Sequence, residues 1–419
     1  MPSLTMAPSP IMAGNHEIVD VQQTRCCIVG GGPAGVVLAY LLARRGIPVT
    51  LLEEHLDFDR DFRGDTLQPA AMELMDELGF ADDLLALRHT KVRVLTANTR
   101  VGPVTLFDCG LLKTKFQFCT ELAQVSFLNF FVERAKKFPS FVLHMGANVQ
   151  DTIVEDGVVR GVRFRSKDGW HEVRADLTVA ADGRNSRLRH QAGYQPDQIA
   201  PEIDVLWLRL PRREGEPEEP FITMGEGRLV FGYAYPEHWR VAYVIPKGAF
   251  QQLRAAGLDV LRSSVARLAP RFAERLGHLR DWKQSPLLSV QTNCLKQWYK
   301  PGLLFIGDAA HAMSPVGGVG TTYAIQDAVV AANVLCGPLE RGTVTLNDLK
   351  EVQRRRHWPV KLIQAFQCMI QKRMVAGVVL DAEKASARQI PPRFLQWAPI
   401  VKMSTYFIAF GLWRTHVEV

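Results

Sequence analysis

The sequence predicts an α/β fold in three parts. These are a Rossmann-like dinucleotide-binding domain assembled from separate stretches of chain, a second domain on a mostly antiparallel β-sheet, and a helical C-terminus. Three strand ends carry the prediction. One apolar run ends in Gly30-Gly31-Gly32-Pro33-Ala34-Gly35. A second, Leu177–Ala181, ends in Asp182-Gly183, and a third, Leu303–Ile306, ends in Gly307-Asp308-Ala309-Ala310-His311. Each closes on glycine or aspartate, residues suited to a sharp turn beside a ligand.

The elements follow in order. The 419 residues, 47% of them hydrophobic, are enough for two domains. Residues 1–23 mix Pro, Ser, Met and Asn and read as a flexible leader. They lack the charged and apolar regions of a signal peptide. Arg25–Val29 reads as a short buried strand, Ala34–Arg45 as a helix, and Val49–Leu52 as a second strand, which makes a βαβ unit. Thr66–Gly79 and Gln124–Lys137 read as amphipathic helices. Val162–Val173 reads as a hairpin turning at Asp168-Gly169.

Ile203–Leu210, Arg228–Tyr235 and Trp239–Ile245 alternate with period two, the signature of an antiparallel sheet. Arg212–Pro220, charged and proline-bearing, reads as a solvated loop. The α/β pattern returns at Leu303, and helices dominate from Tyr323. The dinucleotide domain is therefore expected over 24–95, 116–200 and 296–345. The sheet domain is expected over 96–115 and 201–295, and the helical segment over 346–419.

The net charge is +7 and the isoelectric point about 9.0. The basic residues are scattered and no nucleic-acid motif accompanies them, so no nucleic-acid partner is expected. The run Arg354-Arg355-Arg356-His357 reads as the solvated face of a helix. Seven cysteines without CxxC or metal spacing read as reduced thiols of a cytoplasmic protein. Cys26 and Cys27 read as packing residues of the first strand. No apolar run is long enough to cross a bilayer. Residues 394–419, with Trp397, Tyr406, Phe407, Phe410, Leu412 and Trp413, fit a packing helix, a dimer contact or a membrane-surface helix. Monomer and homodimer both remain open.

Gly30, Gly32 and Gly35 match G-x-G-x-x-G between a strand and a helix. The spacing permits a tight turn, close approach to a pyrophosphate and close helix–strand packing. The helix start adds free N–H groups and a positive dipole end. Glu53, followed by Glu54, closes the second strand where an acidic residue meets a ribose hydroxyl.

With Pro33-Ala34, Asp182-Gly183 and Gly307-Asp308 added, the chain resembles the single-component FAD-dependent aromatic hydroxylases, of which p-hydroxybenzoate hydroxylase is the type. The resemblance covers about residues 24–345. It implies that the first segment holds the ADP part of FAD. The second segment, Asp182, Gly183, Ser186 and Arg189, is implied in FAD and nicotinamide contacts. The third runs from Gly307 to His311 through Pro315, Gly317, Gly318, Val319 and Gly320 into a helix at Thr321, with Asp327-Ala328 beyond.

Asp308 suits the ribityl hydroxyls, and the glycine turn lets backbone lie against the flavin ring. The helix N-terminus suits the negative edge of reduced flavin. Thr322 stands where the family usually has Asn, so it keeps a hydroxyl and loses the amide. Arg63 and Gln124 match family residues near FAD. His311 reads as ordering its turn.

The family's sheet roofs the substrate. Phe231, Tyr233 and Tyr235 share one face of their strand. Trp239, Val241, Tyr243 and Ile245 share a face of the next. The implied activity is an NAD(P)H- and O₂-using monooxygenase that hydroxylates or epoxidises an aromatic or polycyclic small molecule through a flavin C4a-hydroperoxide. No protein residue is assigned as catalytic, because the flavin carries the chemistry. No metal constellation and no second G-x-G-x-x-G is present. Reductases of the geranylgeranyl type share the cradle and stand as the alternative, followed by a flavin-binding redox sensor. Flavin halogenases fit less well, since Val244-Ile245-Pro246 keeps only the ending of their Trp-x-Trp-x-Ile-Pro motif.

Overall fold

The first sheet has a parallel core, and its neighbours decide where the three turns meet. The computed structural model describes residues 12–13, 16–59, 66–99, 102–199, 203–216, 219–225, 228–235, 237–379 and 398–419. The parallel strands are β1 (His16–Val29), β2 (Val49–Glu53), β3 (Phe141–Met145), β4 (Gly169–Ala180) and β5 (Leu303–Phe305). Their order across the sheet is β5-β4-β1-β2-β3. The antiparallel strands Asn148–Glu155 and Val158–Ser166 extend it beside the first half of β4.

β1 is longer than the sequence predicts, and residues 16–23 of the expected leader belong to it. The reason is the partner. β4 is a 12-residue strand, and its register pairs Trp170 with Ile18 and Ala175 with Thr24. Backbone groups in that stretch are thereby satisfied by the sheet. Cys26 and Cys27 are fully buried in β1, as expected of packing residues.

Helix α1 (Pro33–Arg44) is buried from Ala34 to Ala43. It lies between the sheet, α3 (Gln124–Ala135) and α4 (Gly320–Arg341). The helix expected over Thr66–Gly79 is shorter, α2 (Pro69–Glu77), because Thr66–Leu67 pairs as strand with Thr120–Glu121. Among the described residues, two further helices follow, α5 (Leu346–Val379) and α6 (Ala398–Phe410). Among the described residues, no helix is long and apolar enough to cross a membrane.

Among the described residues, the second sheet has seven strands and is antiparallel except where Phe221–Gly225 runs parallel to Val94–Thr99. The hairpin Val94–Thr99/Gly102–Asp108 forms its edge. Period two sorts its side chains onto two faces. Trp239, Val241, Tyr243 and Ile245 pack with Leu261, Val265 and Phe272 on the helical side. Trp207, Leu229, Tyr233, Tyr235 and Val244 form the opposite face.

The Arg212–Pro220 segment is not simply solvated. Glu216 turns inward and accepts from Arg275 Nη1 and from Trp239 Nε1, each at 2.9 Å. Burial opposes its charge, but the hydrogen bonds from Arg275, Trp239 and the Arg213 N–H outweigh it. They lower the carboxyl from 4.5 to about 2. A depressed carboxyl stabilises the fold above its unfolded pKa and loses that contribution as pH falls through the folded value. Glu216→Gln is therefore expected to melt below wild type near neutral pH, with the gap closing between about pH 4.5 and about pH 2. Thermal melts across that window check this. A gap that stays constant with pH refutes it.

Candidate active site

The three predicted turns meet because their strands are neighbours. Val29 pairs with Ala180, and Ala180 with Phe305. Gly30, Asp182 and Gly307 therefore leave the sheet at one carboxyl edge, where open α/β sheets bind ligands. A cavity of about 1340 Å³ begins there and extends under the second sheet.

The glycines of the first turn divide their work. Gly30 has φ +107°, and a Cβ on it would lie 2.3 Å from Ala181 O. A Cβ on Gly35 would lie 1.9 Å from Gly30 O. These two make the turn and let α1 close on it. Gly35 itself does not border the cavity. Gly32 has φ −74° and open space where its side chain would be. Its missing side chain leaves room for a ligand. Glu53 Oε2 accepts the Gly31 N–H at 2.8 Å, and its Oε1 accepts the His55 N–H at 2.9 Å. It therefore fastens the loop to β2 as well as bordering the cavity.

In the second turn, Ser186 caps a short helix by accepting from Arg189 N at 3.0 Å. Arg189 Nη1 donates to Ala309 O at 3.0 Å and Nη2 to Arg184 O at 2.6 Å. This arginine ties the second turn to the third. Asp182 Oδ2 accepts from Leu188 N at 3.2 Å, while its buried Oδ1 has no hydrogen-bond partner. Burial holds the Asp182 carboxyl above the ordinary aspartate range.

The third turn is braced from behind. Gly307, at φ +58°, donates its N–H to Asp327 Oδ2 at 2.9 Å. His311 Nε2 donates to the same oxygen at 2.6 Å, and Arg356 Nε donates to Oδ1 at 2.7 Å. Burial would raise the Asp327 pKa, but His311 and Arg356 hold it below the ordinary value. His311 is buried in this cluster and is not part of the cavity wall, in keeping with a turn-ordering role. Arg356 corrects the reading of its run as a solvated face. It is 1% exposed, because α5 packs it against α4 as the counter-charge that buried Asp327 needs. Its neighbours Arg354 and Arg355 do face solvent and pair with Glu351.

Of the remaining expected positions, Gly30, Gly32, Pro33, Ala34, Glu53, Glu54, Gln124, Asp182, Gly307, Asp308, Pro315, Gly317, Gly318, Val319, Gly320 and Thr321 all border the cavity, with Phe231 and Tyr233 above. α1 and α4 both begin there without a side-chain cap, so their first N–H groups have no side-chain acceptor. Thr322 stands apart. Its hydroxyl accepts the Gln68 N–H at 3.1 Å, within a buried network. Tyr235 also stands outside the wall, its ring stacked on His238 at 4.8 Å. The Trp239 face points to the helices and not to the cavity. Arg63 lies outside the described residues.

Gln68 and Trp207 are site residues that the sequence motifs do not mark. Gln68 Nε2 donates to Gly317 O at 2.8 Å and its Oε1 accepts from Cys119 Sγ at 3.2 Å, bracing the glycine turn. Trp207 meets Phe231 edge-on at 5.8 Å, and period two within Ile203–Pro211 could have found it beside Val205. No group of side chains suited to hold a metal occurs among the described residues.

Glycine cradles, uncapped helix starts and an orphaned carboxylate oxygen at one cavity fit a dinucleotide of FAD type. The comparison with known families agrees. A family described as "FAD binding domain" matches residues 23–363. The chain belongs to this FAD-binding family.

Relatives and solved structures match most of the chain. It is 31% identical over 406 residues to 6-methylpretetramide 4-monooxygenase from Streptomyces rimosus, covering 96% of this chain and 95% of the relative. It is 26% identical over 358 residues to digeranylgeranylglycerophospholipid reductase 1 from Methanopyrus kandleri, covering 81% and 87%. The solved p-nitrophenol 4-monooxygenase PnpA from Pseudomonas putida DLL-E4 superposes with a TM-score of 0.73 at 20% identity, covering 92% and 96%. The protein is an FAD-dependent monooxygenase, an oxidoreductase, with NAD(P)H as the co-substrate typical of its family.

Proposed function

We propose that this FAD-dependent monooxygenase hydroxylates an aromatic or polycyclic small molecule held between its FAD site and the aromatic face of the second sheet. One observation carries the proposal. The cavity that borders all three turns is continuous with the wall formed by Trp207, Phe231 and Tyr233.

The cavity lining and the family resemblance together support a set of cofactor contacts. The open space at Gly32 and the start of α1, with Pro33 and Ala34, would receive the pyrophosphate. Glu53, Glu54 and Gln124 would face the adenosine side, Asp308 the ribityl chain, and Gly317 to Thr321 the flavin ring. Bound FAD, reduced by NAD(P)H, supplies the activation of O₂. The chain's own work is positioning and the exclusion of water. The sheet face is apolar and aromatic, and suits a flat substrate. A 6-methylpretetramide monooxygenase as relative supports a multi-ring substrate. The seven free cysteines suit a reducing compartment such as the cytoplasm. The reductase alternative predicts NAD(P)H oxidation without O₂ uptake, and an oxygen electrode separates the two.

Tyr233→Ala tests the substrate wall. Phe231 and Tyr233 lie 5.7 Å apart on the cavity face, so removing one ring lets the substrate shift. A shift of about 1 Å costs oxygen transfer before it costs flavin reduction. NAD(P)H consumption is expected to persist while hydroxylated product per NAD(P)H falls and H₂O₂ rises. Unchanged product per NAD(P)H at an unchanged rate would refute the wall.

A further inference from the structure

The cavity is larger than one ligand needs. Its volume of about 1340 Å³ has to take FAD along the three turns as well as a substrate under the sheet. The three turns and the sheet face account for two of its boundaries. The third is made by α5 and α6, which lie outside both the turns and the sheet, although α5 braces the third turn through Arg356 and Gln367.

Each helix turns one face to the cavity. From α5 come Phe366, Met369 and Ile370, spaced as i, i+3, i+4. From α6 come Ile400, Met403 and Phe407, spaced as i, i+3, i+7. Among the described residues, neither helix contributes a charged side chain to the wall. The other face of α6 is already used for packing. Thr405 Oγ1 accepts from Asp108 N at 3.1 Å, and Ala409 and Phe410 are buried against Ala70 and Phe107. α6 is thereby held beside the second sheet's edge hairpin, so its cavity face is fixed by the fold.

This wall adjoins the place where the flavin ring would lie. A Cβ on Gly317 would meet Ile408 Cγ2 at 3.5 Å. Gln367 Nε2 donates to Ser314 O at 2.9 Å and to Val316 O at 2.8 Å, docking α5 on the same turn. Phe366 and Phe407 meet edge-on across the helices at 5.1 Å. Further out, Met369 is 42% and Met403 68% exposed. A glycine turn thus leads into an apolar arm with methionines at its mouth. A single-ring phenol under the sheet would leave the arm empty, whereas methionine walls adapt to large apolar ligands.

We infer that the α5–α6 arm is a specificity subsite for the distal part of an extended, uncharged, fused-ring aromatic substrate. The inference rests on the reading of the cavity as a monooxygenase site. A compact phenol binds under the sheet alone. An extended polycycle gains additional apolar burial in the arm, which favours its binding over the compact phenol's.

The test uses FAD-loaded full-length protein without NAD(P)H, and equilibrium dialysis against 1-naphthol and 2-hydroxychrysene. Wild type is expected to bind the four-ring probe more tightly than the two-ring probe. Met403→Glu and Met369→Glu, both at exposed positions that leave the core intact, place a carboxylate at the mouth. Each is expected to weaken 2-hydroxychrysene by about tenfold or more, with 1-naphthol and FAD content unchanged. The arm is overturned if 2-hydroxychrysene binds wild type no more tightly than 1-naphthol. It is also overturned if both probes weaken equally, or if neither weakens in the variants. Binding of neither probe by FAD-loaded wild type would overturn the aromatic-substrate reading along with the arm.

Discussion

Gly30→Ala is expected to abolish stable FAD binding and to destabilise the fold by at least about 3 kcal/mol. Two costs add. The native φ of +107° lies in the region that residues with a Cβ rarely adopt. The new Cβ would also sit 2.3 Å from Ala181 O, which is backbone of the next turn and cannot swing aside. Relief requires β1 and β4 to part at the cofactor edge. Gly32→Ala is the informative partner. It has φ −74° and no atom within 4 Å of the added Cβ. It is expected to fold with near-wild-type stability and to lose FAD affinity only. Denaturant melts and FAD titration of both variants provide the check. Equal stability losses in the two would refute this division of labour.

Arg356→Met is expected to cost roughly 3–5 kcal/mol, the range for removing one partner of a buried ion pair. Asp327 is fully buried, and among the described residues it keeps only His311 and the Gly307 N–H without Arg356. The loss should reach the cofactor, since Asp327 holds the residue next to Asp308. FAD is expected to bind more weakly even where the protein remains folded. The double variant Asp327→Asn/Arg356→Met removes the orphan charge, so its loss should be smaller than the sum of the single losses. A single-variant loss within about 0.5 kcal/mol of wild type, the range of ordinary surface substitutions, would sink the argument. So would strict additivity.

The two variants sit on either side of what can be read in the chain. The turn at Gly30 is legible in the sequence because its cause is local: glycine spacing, a strand before and a helix after. The same holds for Asp182-Gly183 and Gly307-Asp308, and with them the cofactor edge. Arg356 is misread from sequence for the converse reason. In a run of basic residues, nothing local marks which one faces inward. Burial of one guanidinium depends on Asp327, which another helix supplies.

The sequence by itself determined the three strand ends, the period-two sheet and the resemblance that named the cofactor, since backbone geometry and side-chain periodicity are written in neighbouring residues. Tertiary structure alone decided which face of that sheet meets the cavity. It carried Phe231 and Tyr233 in, left Tyr235 on the same face but beyond the cavity, turned the Trp239 face away, and added Trp207. It also extended β1 to His16, because β4 is long enough to pair there. It drew Thr322 into a hydrogen bond with Gln68. It set α5 and α6 against the glycine turn. In each case the deciding partner lies far away in the chain, and periodicity fixes which residues share a face but not what that face touches.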